Sequence, residues 1–343
     1  MSQASTHYRS ALEAHFEASR GHPQYDVWFQ YAADTNARGR ELVDRIQSLF
    51  GPVAGRRLLD IGSGYGGTCI AAARAGAREI VGLELSPVQL RLARSNLADH
   101  PGLAVTLHEV DVLDRTATAS LGRFDLVTCD NVLEHVATPA GLLERIGGLL
   151  AEGGHAYVTV PNAFSLAQLR RDCHYGLFGI SLLEPFDAAR YAAEAAGIVG
   201  YDVSRYYRLE TYLALAERVG LRAVLLNRSG DDGELSAVRA EVDAIRRTSL
   251  EAAPPSVRGV LGAQLEAHVR EVEACLSALD GAAGPARARA TRAFRDAYVL
   301  ERWELGLWRP GPAEALAQQV RDRVGRVATR VLGRRATSWL RGR

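Results

Sequence analysis

The feature that most constrains this chain is a glycine-rich turn placed between a strand and a helix. Leu58-Leu59-Asp60-Ile61 is a short apolar run, Gly62-Ser63-Gly64-Tyr65-Gly66-Gly67 follows at once, and Thr68–Ala75 reads as a helix. Glycine accepts the left-handed backbone of a tight turn and leaves room for a ligand to reach the N–H groups that open the helix. Gly62, Gly64 and Gly67 fit G-x-G-x-x-G, with Glu84 about 20 residues on, the spacing of an adenosine-cofactor turn.

The surrounding texture agrees. Glu79–Leu85, Ala104–Val110, Phe124–Cys129 and His155–Val160 read as strands, with helices over Ser86–Asn96 (serine N-cap, Pro87 at the first helical position) and Pro139–Leu150. Gly153-Gly154 supplies the turn before the fifth strand. Strand and helix in alternation define an α/β chain with a doubly wound parallel sheet. The expected organisation is a helical cap over 1–50 and a core over 51–230 with an acceptor-site insertion at 162–205. A helical insertion or cap follows at 231–296, then a final strand within 297–312 and a basic amphipathic helix over 313–343.

Acidic residues decide among adenosine cofactors. Asp60 stands two residues before the first glycine, where it would repel a dinucleotide pyrophosphate but attract an ammonium. S-adenosylmethionine carries an ammonium and a sulfonium and no phosphate, and the backbone of Gly62, Ser63 and Gly64 could meet its carboxylate. Glu84, with Leu85 and Gln89 beside it, is placed for the ribose. Asp111, next to Val112, is placed for the adenine amino group, and Asp130-Asn131 lies beneath the methionine part.

These residues resemble the class I S-adenosylmethionine-dependent methyltransferases. Leu58–Gly66 is similar to that family's first motif and Gly82–Pro87 to its second. Phe124–Val127 continuing into Asp130-Asn-Val-Leu-Glu-His-Val136 is similar to the motif after strand four in the small-molecule, ubiquinone-precursor O-methyltransferase branch. Leu149–Gly154 resembles the turn before strand five. The likeness covers roughly 56–227 and leaves the helical insertion outside. It implies a Rossmann-like seven-stranded sheet, S-adenosylmethionine as cofactor and in-line methyl transfer to a small-molecule acceptor, read here as a hydroxyl of a sugar or secondary metabolite. An amine acceptor, an NAD-dependent oxidoreductase and a non-catalytic cofactor-binding module are the competing readings; Asp60 opposes the second and an intact Glu-His pair the third.

Glu134-His135 is the candidate catalytic pair, since a histidine titrates near neutrality and can take the acceptor proton. In relatives acting on catechol-like rings the matching pair binds a divalent metal with a third acid. Here the third position is Asn131, so a Mg²⁺ site of Asn131, Glu134 and His135 is the alternative to no metal. His174-Tyr175, in the insertion after strand five, is read as orienting or deprotonating the acceptor, or else as packing. Tyr25, Trp28 and Tyr31 form an aromatic flap or a packing plug, and Arg38 is a candidate partner for the methionine carboxylate.

Composition excludes other classes. The 41 basic residues, all arginine, and 40 acidic ones give a net charge of +1, which offers no footprint for nucleic acid. Four dispersed cysteines make neither a zinc ribbon nor a disulfide framework. Cys69, Cys129 and Cys173 are expected to be buried thiols of the core or its edge. With no secretory signal and no long uncharged apolar run, a cytoplasmic location is expected. The stretch 321–343 holds eight arginines against one acid, and Val320, Val324, Val327 and Val331 make a helical stripe, so contact with an anionic membrane surface is one expectation for it. Homodimerisation through the helical insertion is another.

Overall fold

The computed structural model describes residues 6–22, 24–228 and 235–311, so the expectation for 313–343 lies outside the described residues. Five strands run parallel: β1 (Arg57–Ile61), β2 (Glu79–Glu84), β3 (Val105–Glu109), β4 (Phe124–Asp130) and β5 (Leu150–Pro161). β6 (Arg222–Leu225) and β7 (Arg302–Trp308) complete one seven-stranded sheet in the order β3-β2-β1-β4-β5-β7-β6, with β7 antiparallel to both neighbours. The expected final strand is therefore present. Successive connections leave β1 in opposite directions, toward β2 on one side and β4 on the other. In such sheets the crevice at that reversal, outside the carboxyl ends of the strands, is where ligands bind.

Strand side chains alternate between two cores, as the two-residue period of a strand requires. Leu58, Ile80, Leu126 and Tyr157 pack on α3 (Thr35–Phe50) and α4 (Gly67–Arg74), while Leu59, Val81, Val127 and Val158 pack on α6 (Pro139–Leu149) and α9 (Leu209–Arg218). Sheet faces buried on both sides explain the nearly unbroken apolar strand sequences. Between β2 and β3, α5 (Pro87–Ala98) is capped as expected, the Ser86 hydroxyl accepting from Gln89 N at 3.3 Å. The Gly153-Gly154 expectation needs correction. Phe124 pairs with Leu150 but Leu126 pairs with His155, so the two glycines form an irregularity inside β5 rather than a turn ahead of it. A side chain at Gly154 would meet the Phe124 carbonyl oxygen at 2.9 Å.

Ahead of the sheet, α1 (His7–Phe16) and α2 (Tyr25–Ala33) precede α3. The last of these approaches α4 backbone to backbone: a Cβ at Gly39 would lie 2.3 Å from the Gly67 carbonyl. The segments 162–205 and 235–296, separate in sequence, fold as one cap. Leu166 and Leu169 of α7 (Leu166–Arg170) share a core with Val242 and Ile245 of α10 (Leu235–Arg246), Val269 and Val272 of α11 (Pro255–Asp280), and Phe294 of α12 (Gly284–Tyr298). α8 (Pro185–Ala196) joins the same body through Ala188, Tyr191 and Ala192 against Val257 and Leu261. The described part of the second segment is three helices with irregular joints, inserted between β6 and β7. Among the described residues no helix is long and apolar enough to cross a membrane.

Candidate active site

The glycine turn sits at the reversal. Gly62, Gly64 and Gly66 have φ of 71°, 52° and 79°, and a side chain at Gly62 would meet Val132 Cγ2 at 2.3 Å. Glu84 ties this turn to the tip of β2: one carboxylate oxygen accepts from Gly64 N and the other from Ser86 N, each at 2.8 Å. Ser63 is buried, and its hydroxyl has no hydrogen-bond partner. Leu85 is 67% exposed at the rim, and Gln89 is half-buried one turn into α5.

Asp60 is 3% exposed, with Thr128 Oγ1 donating to one oxygen at 2.5 Å and Cys69 Sγ lying 3.5 Å from the other. Burial pushes its carboxyl up to about 7. The bonds from Thr128 and Cys69 pull the other way, and Asp130 and Glu84 add to the rise. A buried acid that titrates near neutrality is held ready for a cation. Asp111 lies two residues beyond β3, exposed, its Oδ1 accepting from Leu113 N at 2.8 Å; Val112 beside it is buried. Asp130 accepts from Thr159 Oγ1 at the end of β4. The four acids therefore do stand in order along one edge of the sheet.

Beyond β4 the chain turns without forming a helix. Asn131 takes φ 54°, unique among described non-glycine residues, and its backbone N–H donates to Thr159 Oγ1 at 3.1 Å. The loop lets two adjacent side chains converge, which a helix would forbid. Glu134 is fully buried, and neither of its oxygens has a hydrogen-bond partner. His135 Nε2 lies 3.8 Å from Glu134 Oε1, and His174 Nε2 lies 3.5 Å from the same oxygen. His135 Nδ1 sits 3.1 Å from the Asp202 carbonyl oxygen. The two imidazoles meet edge to face, with centroids 5.0 Å apart.

His174 occupies a crowded position. Tyr206 Oη is 3.0 Å from its Nδ1, Cys173 Sγ 3.4 Å and Asp172 Oδ2 3.6 Å. Burial opposes a charge there, but Asp172, Cys173 and Glu134 outweigh it and raise the imidazole far above the ordinary histidine value. A histidine that keeps its proton can orient an acceptor but does not deprotonate it. Tyr175 is buried, its hydroxyl shared with Asp202. Cys173 is a correction: it is exposed rather than a core thiol, whereas Cys69 and Cys129 are buried as expected. It lies in a turn between helices, flanked by the buried Asp172 and the half-buried His174.

Tyr31 reaches this region. The residue is 52% exposed, and burial, then Asp130 and Cys173, push its hydroxyl above the ordinary value. The Arg38 guanidinium stacks on that ring, 3.7 Å from the centroid, and donates to the Tyr31 carbonyl. Tyr25 and Trp28 are held by aromatic packing. Tyr25 stacks on Phe29 at 5.7 Å, and Trp28 stacks on His22 at 4.5 Å and packs against the cluster that contains Tyr175. Thr128, Asp172, Asp202 and Tyr206 escaped the sequence reading. Tertiary contact brings Asp202 and Tyr206 to the site, whereas Thr128 and Asp172 lie within two residues of Asp130 and His174.

A Mg²⁺ site of Asn131, Glu134 and His135 does not fit. The Asn131 side-chain oxygen is engaged by Thr159 Oγ1 at 3.2 Å. The groups that converge are instead Glu134, His135 and His174, whose ligand atoms lie within 4.8 Å of one another. One carboxylate with two imidazoles is poor in the oxygen donors a hard cation requires.

The sheet order and the acid-lined crevice define a Rossmann-like nucleoside-binding domain. A model of the methyltransferase domain matches residues 33–226, and the chain belongs to the class I S-adenosylmethionine-dependent methyltransferase family. Among similar curated proteins is the ubiquinone biosynthesis O-methyltransferase of Thiobacillus denitrificans, 32% identical over 180 residues that make up 46% of this chain and 75% of that protein. That of Ralstonia nicotianae is 38% identical over 127 residues, 37% of this chain and 52% of the relative. That of Bordetella avium is 36% identical over 117 residues, 34% and 47% respectively. The chain spans about half the length of the last two. A solved S-adenosylmethionine-dependent methyltransferase from Mesorhizobium loti is 21% identical, covers 60% of this chain and 92% of its own, and superposes with a TM-score of 0.41.

Proposed function

We propose that this protein moves the methyl group of S-adenosylmethionine to a hydroxyl of a small molecule, with His135 as general base. The observation that carries the base assignment is the tautomer of His135. Its Nδ1 lies 3.1 Å from the Asp202 carbonyl oxygen, which can only accept, so Nδ1 bears a hydrogen; in the neutral ring that leaves the lone pair on Nε2. Nε2 faces Glu134 at 3.8 Å, a buried carboxylate that stabilises the imidazolium once a proton arrives. In the reaction the acceptor oxygen attacks the methyl carbon, the carbon–sulfur bond breaks, its electron pair stays on sulfur, and the hydroxyl proton passes to His135 Nε2. The rest is positioning: the glycine turn and Glu84 hold the nucleoside, Asp60 the ammonium, and His174, Tyr206 and Tyr31 border the acceptor.

The hydroxyl acceptor is supported by the O-methyltransferase names of the relatives, and the polar, aromatic border suits a sugar or an oxygenated secondary metabolite. The test is a screen of phenol and sugar acceptors with labelled cofactor, followed by His135→Ala on the acceptor that responds. Loss of a positioned base costs about 10²- to 10⁴-fold in kcat, while S-adenosylhomocysteine affinity should stay within about twofold, near the limit of a calorimetric comparison. An unchanged kcat removes His135 from the mechanism.

A further inference from the structure

We propose that Asp172, Cys173 and His174 form a binding site for a borderline transition cation of the zinc class, with Glu134 as its outer partner. Three consecutive residues seldom aim at one point, because strand neighbours diverge and helix neighbours splay. Here they fan from a turn closed by Tyr175 N donating to Asp172 Oδ1 at 2.5 Å and Gly176 N donating to the Asp172 carbonyl at 3.0 Å. Their ligand atoms come within 4.8 Å of one another.

The separations suit a tetrahedral cation. Zinc bound at about 2.3 Å to sulfur and about 2.0 Å to nitrogen and oxygen leaves its ligand atoms roughly 3.3–3.6 Å apart. Cys173 Sγ lies 3.4 Å and Asp172 Oδ2 3.6 Å from His174 Nδ1. Tyr206 Oη, 3.0 Å from the same nitrogen, shows that Nδ1 faces a polar partner, which a bound cation would displace or take as a further oxygen neighbour.

Glu134 is the independent observation. Its carboxylate is fully buried, has no hydrogen-bond partner, and lies 3.5 Å from His174 Nε2. A carboxylate behind the far nitrogen of a ligating imidazole fixes the proton there and turns the near nitrogen to the metal. Two carboxylates and a thiol surround one imidazole, and a divalent ion supplies positive charge in place of the two protons that the thiol and His174 Nδ1 give up to solvent on binding. The thiol selects against Mg²⁺ and Ca²⁺. Cys173 is exposed, so an ion from solvent can reach its thiol.

The test uses Co²⁺ as a spectroscopic stand-in for zinc, added to chelator-treated full-length protein. One equivalent should give tetrahedral d–d bands and a near-ultraviolet thiolate-to-cobalt band, and zinc should displace both. Cys173→Ala should lose the thiolate band, and Glu134→Gln should weaken cobalt binding by about 10- to 100-fold. S-adenosylhomocysteine binding by Cys173→Ala checks that the variant is folded, and it reads the cofactor site separately from the metal site. Absence of the thiolate band in the wild-type protein overturns the proposal. So does its persistence in Cys173→Ala, which would place the ion on another cysteine.

Discussion

Raising the pH from about 6 to 8 should tighten cofactor binding roughly tenfold through Asp60 alone, since the apo carboxyl titrates near 7 and the bound one must be ionised. Burial is the cause, the residue being 3% exposed, and Thr128 and Cys69 only partly offset it. An ammonium placed against Asp60 removes the need for that proton. Below about pH 7 each bound ligand should therefore displace up to one proton, and affinity should fall about tenfold for each further unit. Folding of the unliganded protein responds with the opposite sign. A carboxyl whose folded pKa exceeds its unfolded value favours the fold while protonated, so that stability is complete below about 3.9 and is lost as the pH rises through 7. The swing is of order 4 kcal/mol. Asp60→Asn should raise the melting temperature of the apo protein at pH 8 and weaken S-adenosylhomocysteine binding there by roughly 10- to 150-fold, the worth of a charge-assisted hydrogen bond. Titration calorimetry in two buffers of different ionisation enthalpy, across pH 5.5–8, measures both affinity and proton release. A flat profile with no proton released would refute the pairing of Asp60 with the ammonium.

Other outcomes follow from the same physics. His268 is 5% exposed, packed between Phe164 and Tyr298, and burial lowers its pKa to about 4. The fold resists its protonation, so that stability is present above about 6.5 and lost as the pH falls toward 4. Between pH 7 and 5 the loss is about 2 kcal/mol, and His268→Phe should remove most of it in urea titrations at the two pH values. Gly39→Ala would drive a methyl group to 2.3 Å from the Gly67 backbone. Overpacking of about 1–3 kcal/mol should exceed the helical gain of about 1 kcal/mol, lowering the urea midpoint and loosening the cofactor turn.

Much of the fold was legible because it is written locally. The Gly62–Gly67 turn, the doubly buried strands, and Ser86-Pro87 at the head of α5 each carry their own backbone instructions within a few residues. The acids at the strand ends were legible for the same reason, since strand direction alone puts Asp60, Glu84 and Asp130 on one edge. What the sequence could not decide was which distant side chains meet. Tyr25, Trp28 and Tyr31 sit on one short helix and look alike in sequence, yet only Tyr31 turns toward Asp130. His174 looks like any other histidine until the cap sets it against Glu134, and Asp202 gains its role only because an irregular segment lays its carbonyl against His135. Backbone conformation answers to neighbours in the chain, whereas the partner of a buried charge is chosen by how whole elements pack. The chemistry of this site therefore rests on contacts between residues that lie tens of positions apart in sequence.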